Sequence, residues 1–324
     1  VPALSWLSRI PAPPLAWQRA FAIAALVAHA GIAVTGSVVR VTGSGLGCPT
    51  WPQCVPGSLT PVARPEFDAL HQWVEFGNRL LTGAVGLASA ACLIAALLVR
   101  PRRPRLIWLA AAMPAGVVAQ AVIGGITVLT GLLWWTVAAH FLASVVLTWL
   151  AVLLVRAINE GDEPARPLVP GALRRLQAFN VVVLVALLVA GTLVTAAGPH
   201  SGDANTPRLD LPVASLAQVH ADLMFLYLGA VVGLGFAFRA VGVPRQVWSS
   251  FWTVIAVVIA QGTLGMIQYW TGVPEVLVSF HVLGSALVTI ATAALWTATR
   301  NRGPRPVPGM TAVAETPTPA GVRA

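Results

Sequence analysis

Eight long apolar runs, separated by short polar segments, organise the chain. They cover roughly 20–40, 72–98, 106–129, 135–155, 176–197, 214–238, 247–270 and 276–298. None alternates apolar with polar residues, as a barrel strand does. Each has about the 20 residues that carry a helix across a bilayer. In lipid only helices and closed barrels satisfy their own backbone. The pattern therefore predicts an all-α membrane protein with eight transmembrane helices.

The chain also repeats itself. Gln120-Ala-Val-Ile-Gly-Gly-Ile-Thr-Val-Leu-Thr-Gly131 recurs as Gln261-Gly-Thr-Leu-Gly-Met-Ile-Gln-Tyr-Trp-Thr-Gly272, and His140-Phe-Leu-Ala-Ser144 as His281-Val-Leu-Gly-Ser285. A weaker echo links Gly36, Val39, Gly43 and Gly47 to Gly191, Val194, Gly198 and Gly202. The expected architecture is two tandem four-helix bundles, residues 20–156 and 176–298. They are joined by a linker at 157–175 and flanked by an N-terminal segment, 1–19, and a disordered tail, 299–324. Four is even, so both halves enter from the same side, related by an axis near the membrane normal.

Composition agrees. Hydrophobic residues make up 57% of the 324 and charged residues 10%, against about 25% charged in a soluble domain. With a mean hydropathy of +0.79, a soluble enzyme, a disordered protein and a nucleic-acid-binding domain are excluded. The net charge of +9 comes from Arg alone, mostly at the ends of apolar runs, where it reports topology rather than nucleic acid. Arg9 and Arg19 precede the first run. Arg100, Arg102, Arg103 and Arg105 lie between runs two and three, and Arg156, Arg166, Arg174 and Arg175 between four and five. Arg239 and Arg245 lie between six and seven, and Arg300, Arg302 and Arg305 follow run eight. The opposite loops hold only Arg40, Arg64 and Arg208. Both termini are expected in the cytoplasm of a multi-pass cell-membrane protein, with 41–70 and 198–213 facing outward. The Pro-rich N-terminus lacks a secretory cleavage pattern.

Ionisable groups inside spans are costly and point to function. Here they are His29, Glu75, Arg79, His140, His220, Asp222 and His281, with His71 at the mouth of the second run. His140, His220 and His281 each lie five or six residues into an even-numbered run, about 8 Å deep at ~1.5 Å per residue. Imidazoles from facing bundle helices hold haem iron axially. His220 and His281 can therefore clamp one haem, and the repeat gives His140 the place of His281 in the first half. The competing reading is three buried histidines bonded across helices. His71, Glu75 and Asn78 share one helix face within about 60°. Arg79 is placed to pair with Glu75, so Glu75 is either a carboxylate poised over a cofactor or half of a structural ion pair. Arg40 reads as a partner for carboxylate groups or as a plain interface arginine. Cys48 and Cys54 lie in the outward loop, where a disulfide is favoured over two free thiols. Cys92 and His29 read as packing residues. His200 is given no role. Asp222 is either a support for His220 or part of a bundle-internal hydrogen bond. Trp134 and Trp135 read as interface anchors.

Val39-Arg40-Val-Thr-Gly-Ser-Gly-Leu-Gly-Cys48-Pro-Thr-Trp-Pro-Gln-Cys54, then Glu75-x-x-Asn78-Arg79, then His140, His220 and His281, resembles the haem A synthase family of integral-membrane haem O oxidases. The resemblance covers about 20–298. It implies oxidation of the C8 methyl of haem O to a formyl group by successive hydroxylations, with water as oxygen source, for aa3-type cytochrome oxidase. It implies haem b held by His220 and His281, a substrate haem held by His140, an essential Glu75, and a cysteine pair at Cys48 and Cys54. It further implies a haem O synthase as supplier and an electron acceptor that the sequence does not identify. Arg40 and Arg79 are expected near the haem groups. The family usually carries His where this chain has Asn78. Either His71 takes over as ligand or His140 holds the substrate iron alone, the second being favoured because His71 sits at the helix mouth. The rival classes are a two-haem electron-transfer or quinone-oxidising cytochrome and a tandem-repeat transporter.

Overall fold

The structure is a computed structural model that describes residues 10–63 and 68–306. Among these residues it contains eight α-helices: α1 Leu15–Val41, α2 Ala69–Leu98, α3 Pro104–Leu129, α4 Trp134–Asn159, α5 Gly171–Ala197, α6 Val213–Val241, α7 Arg245–Trp270 and α8 Glu275–Ala298. All eight are long and apolar enough to cross a membrane. They exceed the apolar runs by up to five residues at an end, because helical hydrogen bonding continues into flanking polar residues.

Proline and threonine–glycine pairs set the ends. Pro170, Pro212, Pro244 and Pro274 immediately precede α5, α6, α7 and α8, where a fixed φ suits the first turn and no helical donor is lost. The repeated Thr-Gly dipeptide stops α3 and α7. Gly131 and Gly272 adopt φ of 67° and 81°. The next amides, of Leu132 and Val273, reach back to the carbonyls of Thr127 and Gln268 at 2.9 and 2.8 Å, closing a Schellman-type cap.

In the first bundle α1 packs on α2, α2 on α3, α3 on α4 and α4 on α1; in the second α5 packs on α6 and α7 on α8, with lighter contacts between α6 and α7 and between α5 and α8. The halves meet through α4–α8, with α1–α8 on one side and α4–α5 on the other. Exchanging the halves maps each of these contacts onto one in the same set, as a pseudo-two-fold requires. The outward faces carry large apolar side chains in the open, among them Trp108 at 77% and Phe236 at 74% exposure. Exposed apolar surface on this scale is matched by lipid, not water.

At the end holding both bundle entries, part of the expected tail is ordered. Arg300–Asn301 pairs antiparallel with Arg166–Pro167 of the linker, and Gly161 N–H donates to the Gly303 carbonyl at 2.9 Å. The backbone groups of 299–303 find partners on the linker, which holds them in place. Arg103 is 1% exposed. It pairs with Asp162 at 2.6 Å and donates to the Ala157 and Glu160 carbonyls, so it caps the C-terminus of α4. Arg9, Arg64 and the tail from residue 307 lie outside the described residues.

Candidate functional site

The helix register places like residues in like positions. Between α1 and α5, the register that sets Gly36 against Gly191 also sets Ser37 against Thr192. Each of those hydroxyls donates to the carbonyl three residues back, at 2.6 and 2.7 Å. Between α2 and α6, the register that sets buried Val85, Ser89, Cys92 and Ala96 against buried Tyr227, Val231, Leu234 and Phe238 sets Asn78 against His220. Gln120 and Gln261 repeat one another in detail. Each donates its amide to the carbonyl of the histidine twenty residues on, His140 at 3.1 Å and His281 at 2.9 Å.

These helices enclose a cavity of about 510 Å³ that draws on both halves, within the range of small-ligand and cofactor sites. His140, His220, His281, Glu75, Arg79 and Arg40 all line it. His140, His220 and His281 each lie against a glycine of the preceding helix. A Cβ on Gly124, Gly191 or Gly265 would stand 3.3, 3.1 or 2.9 Å from the Cε1 of His140, His220 or His281. Any larger residue there would push the ring aside.

The rings of His220 and His281 face one another with centroids 6.2 Å apart. Two imidazoles on opposite sides of one metal ion, each nitrogen ~2.0 Å from it, place their centroids about 6 Å apart. His220 Nδ1 donates to the Leu187 carbonyl at 3.0 Å. That bond selects the tautomer with a free Nε2 lone pair, which a metal ligand needs. The Nδ1 atoms of His140 and His281 are buried with no partner among the described residues, so no second bond sets those two tautomers as the Leu187 carbonyl sets that of His220. The residues present therefore fit a haem held between His220 and His281.

The loop that carries Cys48 and Cys54 closes the first half. The Cys48–Cys54 disulfide is formed. Both cysteines and Val55 are fully buried and pack on Phe76 of α2. Glu75 Oε1 accepts from Arg79 at 2.6 Å, and Glu75 Oε2 accepts from the Cys48 amide, also at 2.6 Å. Arg79 donates further to the carbonyls of Cys48, Thr50 and Gln53, at 2.8 to 3.1 Å. The pair thus ties the loop to α2 while forming cavity wall, so the two readings of Glu75 describe one arrangement. The loop in turn seats Trp51 in the cavity wall against Gly125.

Replacing both cysteines by serine releases a short closed loop, worth about 2 kcal/mol of unfolded-state constraint. Expected are a lower thermal midpoint in detergent and reduced haem content. An unchanged midpoint and content in the double variant would show that the Glu75–Arg79 clamp alone holds the loop.

Some expected residues sit elsewhere. The structure does not bring His71 to the cavity. It lies in the first turn of α2, where its amide donates to the capping Asp68 at 3.0 Å, a bond that holds the Asp68 carboxyl below its usual range. Glu75, a turn further in, and Asn78 line the cavity in its place. Asp222 is exposed and accepts from Gln218 of its own helix at 2.7 Å; the Leu187 carbonyl, not Asp222, supports His220. Trp134 lines the cavity, whereas Trp135 is 53% exposed and keeps the interface reading. His29 bonds Ser89 Oγ at 3.1 Å, a packing role, though it also reaches the cavity wall.

His200 was missed. Its ring donates to the Val273 carbonyl at 2.8 Å, and its own carbonyl accepts from Arg40 at 2.9 Å. Nearby, Gly45 N–H donates to the Gly202 carbonyl at 2.8 Å. The loops after α1 and α5 are thus stitched over the cavity, and the available signal was the Gly43/Gly47 echo in Gly198/Gly202.

Part of the chain is similar to known proteins. The chain is 33% identical over 138 residues to a heme A synthase of Geobacillus kaustophilus strain HTA426, covering 42% of the chain and 41% of the relative. It is 30% identical over 152 residues to the heme A synthase of Geobacillus thermodenitrificans, covering 46% and 45%. It is 32% identical over 163 residues to that of Symbiobacterium thermophilum, covering 48% and 51%. The matched stretch thus spans about half the length of these curated relatives or less. The model of the cytochrome oxidase assembly protein family COX15-CtaA matches residues 19–202, more than half of the chain, and the chain belongs to that family.

Proposed function

We propose that the protein is a haem A synthase, an oxidoreductase that converts the C8 methyl of haem O to a formyl group. The observation that carries the reading is the His220–His281 pair, 6.2 Å between rings with the His220 tautomer set by Leu187. It lies in one cavity with His140 and the Glu75–Arg79 clamp. In this reading His220 and His281 hold haem b and His140 holds the iron of haem O, the substrate. Arg40, which spends one N–H on His200, pairs with propionates at the cavity mouth. Arg79 holds the Glu75 carboxylate in place.

Turning the methyl into a formyl group with water as oxygen source releases electrons and protons in equal number. The bound haem b supplies one-electron redox chemistry, and the electrons pass to an acceptor outside the chain. Glu75 takes a proton from the reacting methyl or from the attacking water, and the loop carrying Trp51 keeps bulk water from the reacting edge. Arginine placement supports a cell-membrane protein with cytoplasmic termini, fed by a haem O synthase.

The test is pigment analysis of protein purified after co-expression with a haem O supplier. The expected extract contains haem b with haem A or its hydroxylated precursor, identified by chromatography and mass. Haem b with unmodified haem O or no second haem would favour an electron-transfer cytochrome. Protein without a Soret band would favour a transporter.

A further inference from the structure

Four helix pairs present a residue to the cavity from a glycine seat, and one of them breaks the pattern. Gly124 seats His140, Gly191 seats His220 and Gly265 seats His281, but Gly36 of α1 seats Asn78 of α2, whose Nδ2 lies 3.9 Å from where a Cβ on Gly36 would stand. The exchange involves a second residue. In the second half, the Leu187 carbonyl holds the His220 Nδ1–H. The same register that sets Gly36 against Gly191 sets Ile32 against Leu187 and Thr35 against Ala190. In the first half, the Ile32 carbonyl lies 3.1 Å from the Thr35 hydroxyl, and the same hydroxyl lies 2.7 Å from Asn78 Oδ1. The single Thr35 proton goes to Asn78 Oδ1, the shorter contact, so the first half has a hydroxyl bonded to Asn78 where the second has the methyl of Ala190.

The chemistry of Asn78 follows. Its Oδ1 takes the shorter Thr35 contact. What remains toward the cavity is the NH2 group, which has no lone pair for a metal and only donates. His71 does not line the cavity, and the other two histidines that do, His29 and His200, spend Nε2 on Ser89 Oγ and the Val273 carbonyl.

We infer that the first half holds its haem iron through His140 alone, and that the opposite axial position is an open site for a small oxygen ligand or diatomic, with Asn78 as hydrogen-bond donor to whatever binds there. The inference rests on the reading of His140 as a haem ligand. It makes Thr35 and Asn78 positioning residues that distinguish the two halves. On this reading the second half would carry a bis-histidine site and the first a ligand-accepting one.

Carbon monoxide is the probe, added to the dithionite-reduced, haem-loaded protein. The expected spectrum shows one haem that binds CO and one low-spin haem that does not. Thr35→Ala/Asn78→His rebuilds the Ala190–His220 arrangement on Gly36 and should abolish CO binding, turning the reactive haem low-spin. Asn78→Leu should keep the site open but release CO about fivefold faster and raise the C–O stretch, through loss of one hydrogen bond. His140→Ala should remove the CO-reactive haem and spare the low-spin one. Wild-type protein with two low-spin haems and no CO reaction would overturn the inference and leave the proposed function standing. So would full CO binding by a haem-replete Thr35→Ala/Asn78→His variant. Protein that takes up no haem under any loading condition would overturn both.

Discussion

His220→Ala or His281→Ala is expected to abolish the low-spin bis-imidazole spectrum of the second half and to lower its haem affinity by at least about tenfold, the lower end of what even supporting residues of metal ligands contribute. The 6.2 Å ring separation leaves room for one iron and no spare ligand. Alanine at either place removes an axial bond, and Gly191 or Gly265 supplies no side chain to replace it. The two variants should differ in detail. His220→Ala also frees the Leu187 carbonyl, whose partner was Nδ1 of that ring. His281→Ala removes a ring whose Nδ1 has no partner among the described residues, so it strands nothing new. Haem content and reduced spectra of both variants check this, and added imidazole should restore part of the low-spin signal in either. If both keep wild-type spectra and haem content, these residues do not hold the haem.

The sequence made the spans, the repeat and most of the histidine set legible, and the reasons are local. A run of apolar residues long enough to cross a bilayer announces itself without any knowledge of its neighbours, and so does Gln-to-His spacing repeated in two halves. Loop contacts were another matter. Arg79 was visible as an i,i+4 partner of Glu75, but its three loop carbonyls come from residues 26 to 31 positions away. No periodicity encodes such a link. Trp134 and Trp135 are adjacent and chemically identical, and only the packing of α4 on its neighbours turns one to the cavity and leaves the other exposed. Thr35 looked like any membrane threonine until the register set it against Ala190. Asp222 drew attention by its nearness in sequence to His220, yet two positions along a helix point about 160° apart.

Glu75→Gln is expected to leave the fold and the second-half haem in place while haem A output falls about 10²–10⁴-fold, the contribution of a positioned general base. An unpaired carboxylate at this depth costs several kcal/mol. The structure offsets that cost with two donors, Arg79 on one oxygen and the Cys48 amide on the other. Glutamine keeps the shape and one acceptor, so it can serve one donor and turns its NH2 toward the other. Some loosening of the loop is therefore built into the variant. Arg79 is not stranded, because the Cys48, Thr50 and Gln53 carbonyls remain, and the disulfide still closes the loop. This separates the two roles. As a base, Glu75→Gln loses far more activity than the Cys48→Ser/Cys54→Ser variant, and haem O or a hydroxylated intermediate accumulates on protein with normal haem b. As a loop clamp, the two variants lose activity, thermal stability and haem content in parallel, and Glu75→Gln/Arg79→Gln loses more of each, because the Arg79 bonds to the Cys48, Thr50 and Gln53 carbonyls go too. Wild-type haem A production by a well-folded Glu75→Gln protein would remove Glu75 from the chemistry.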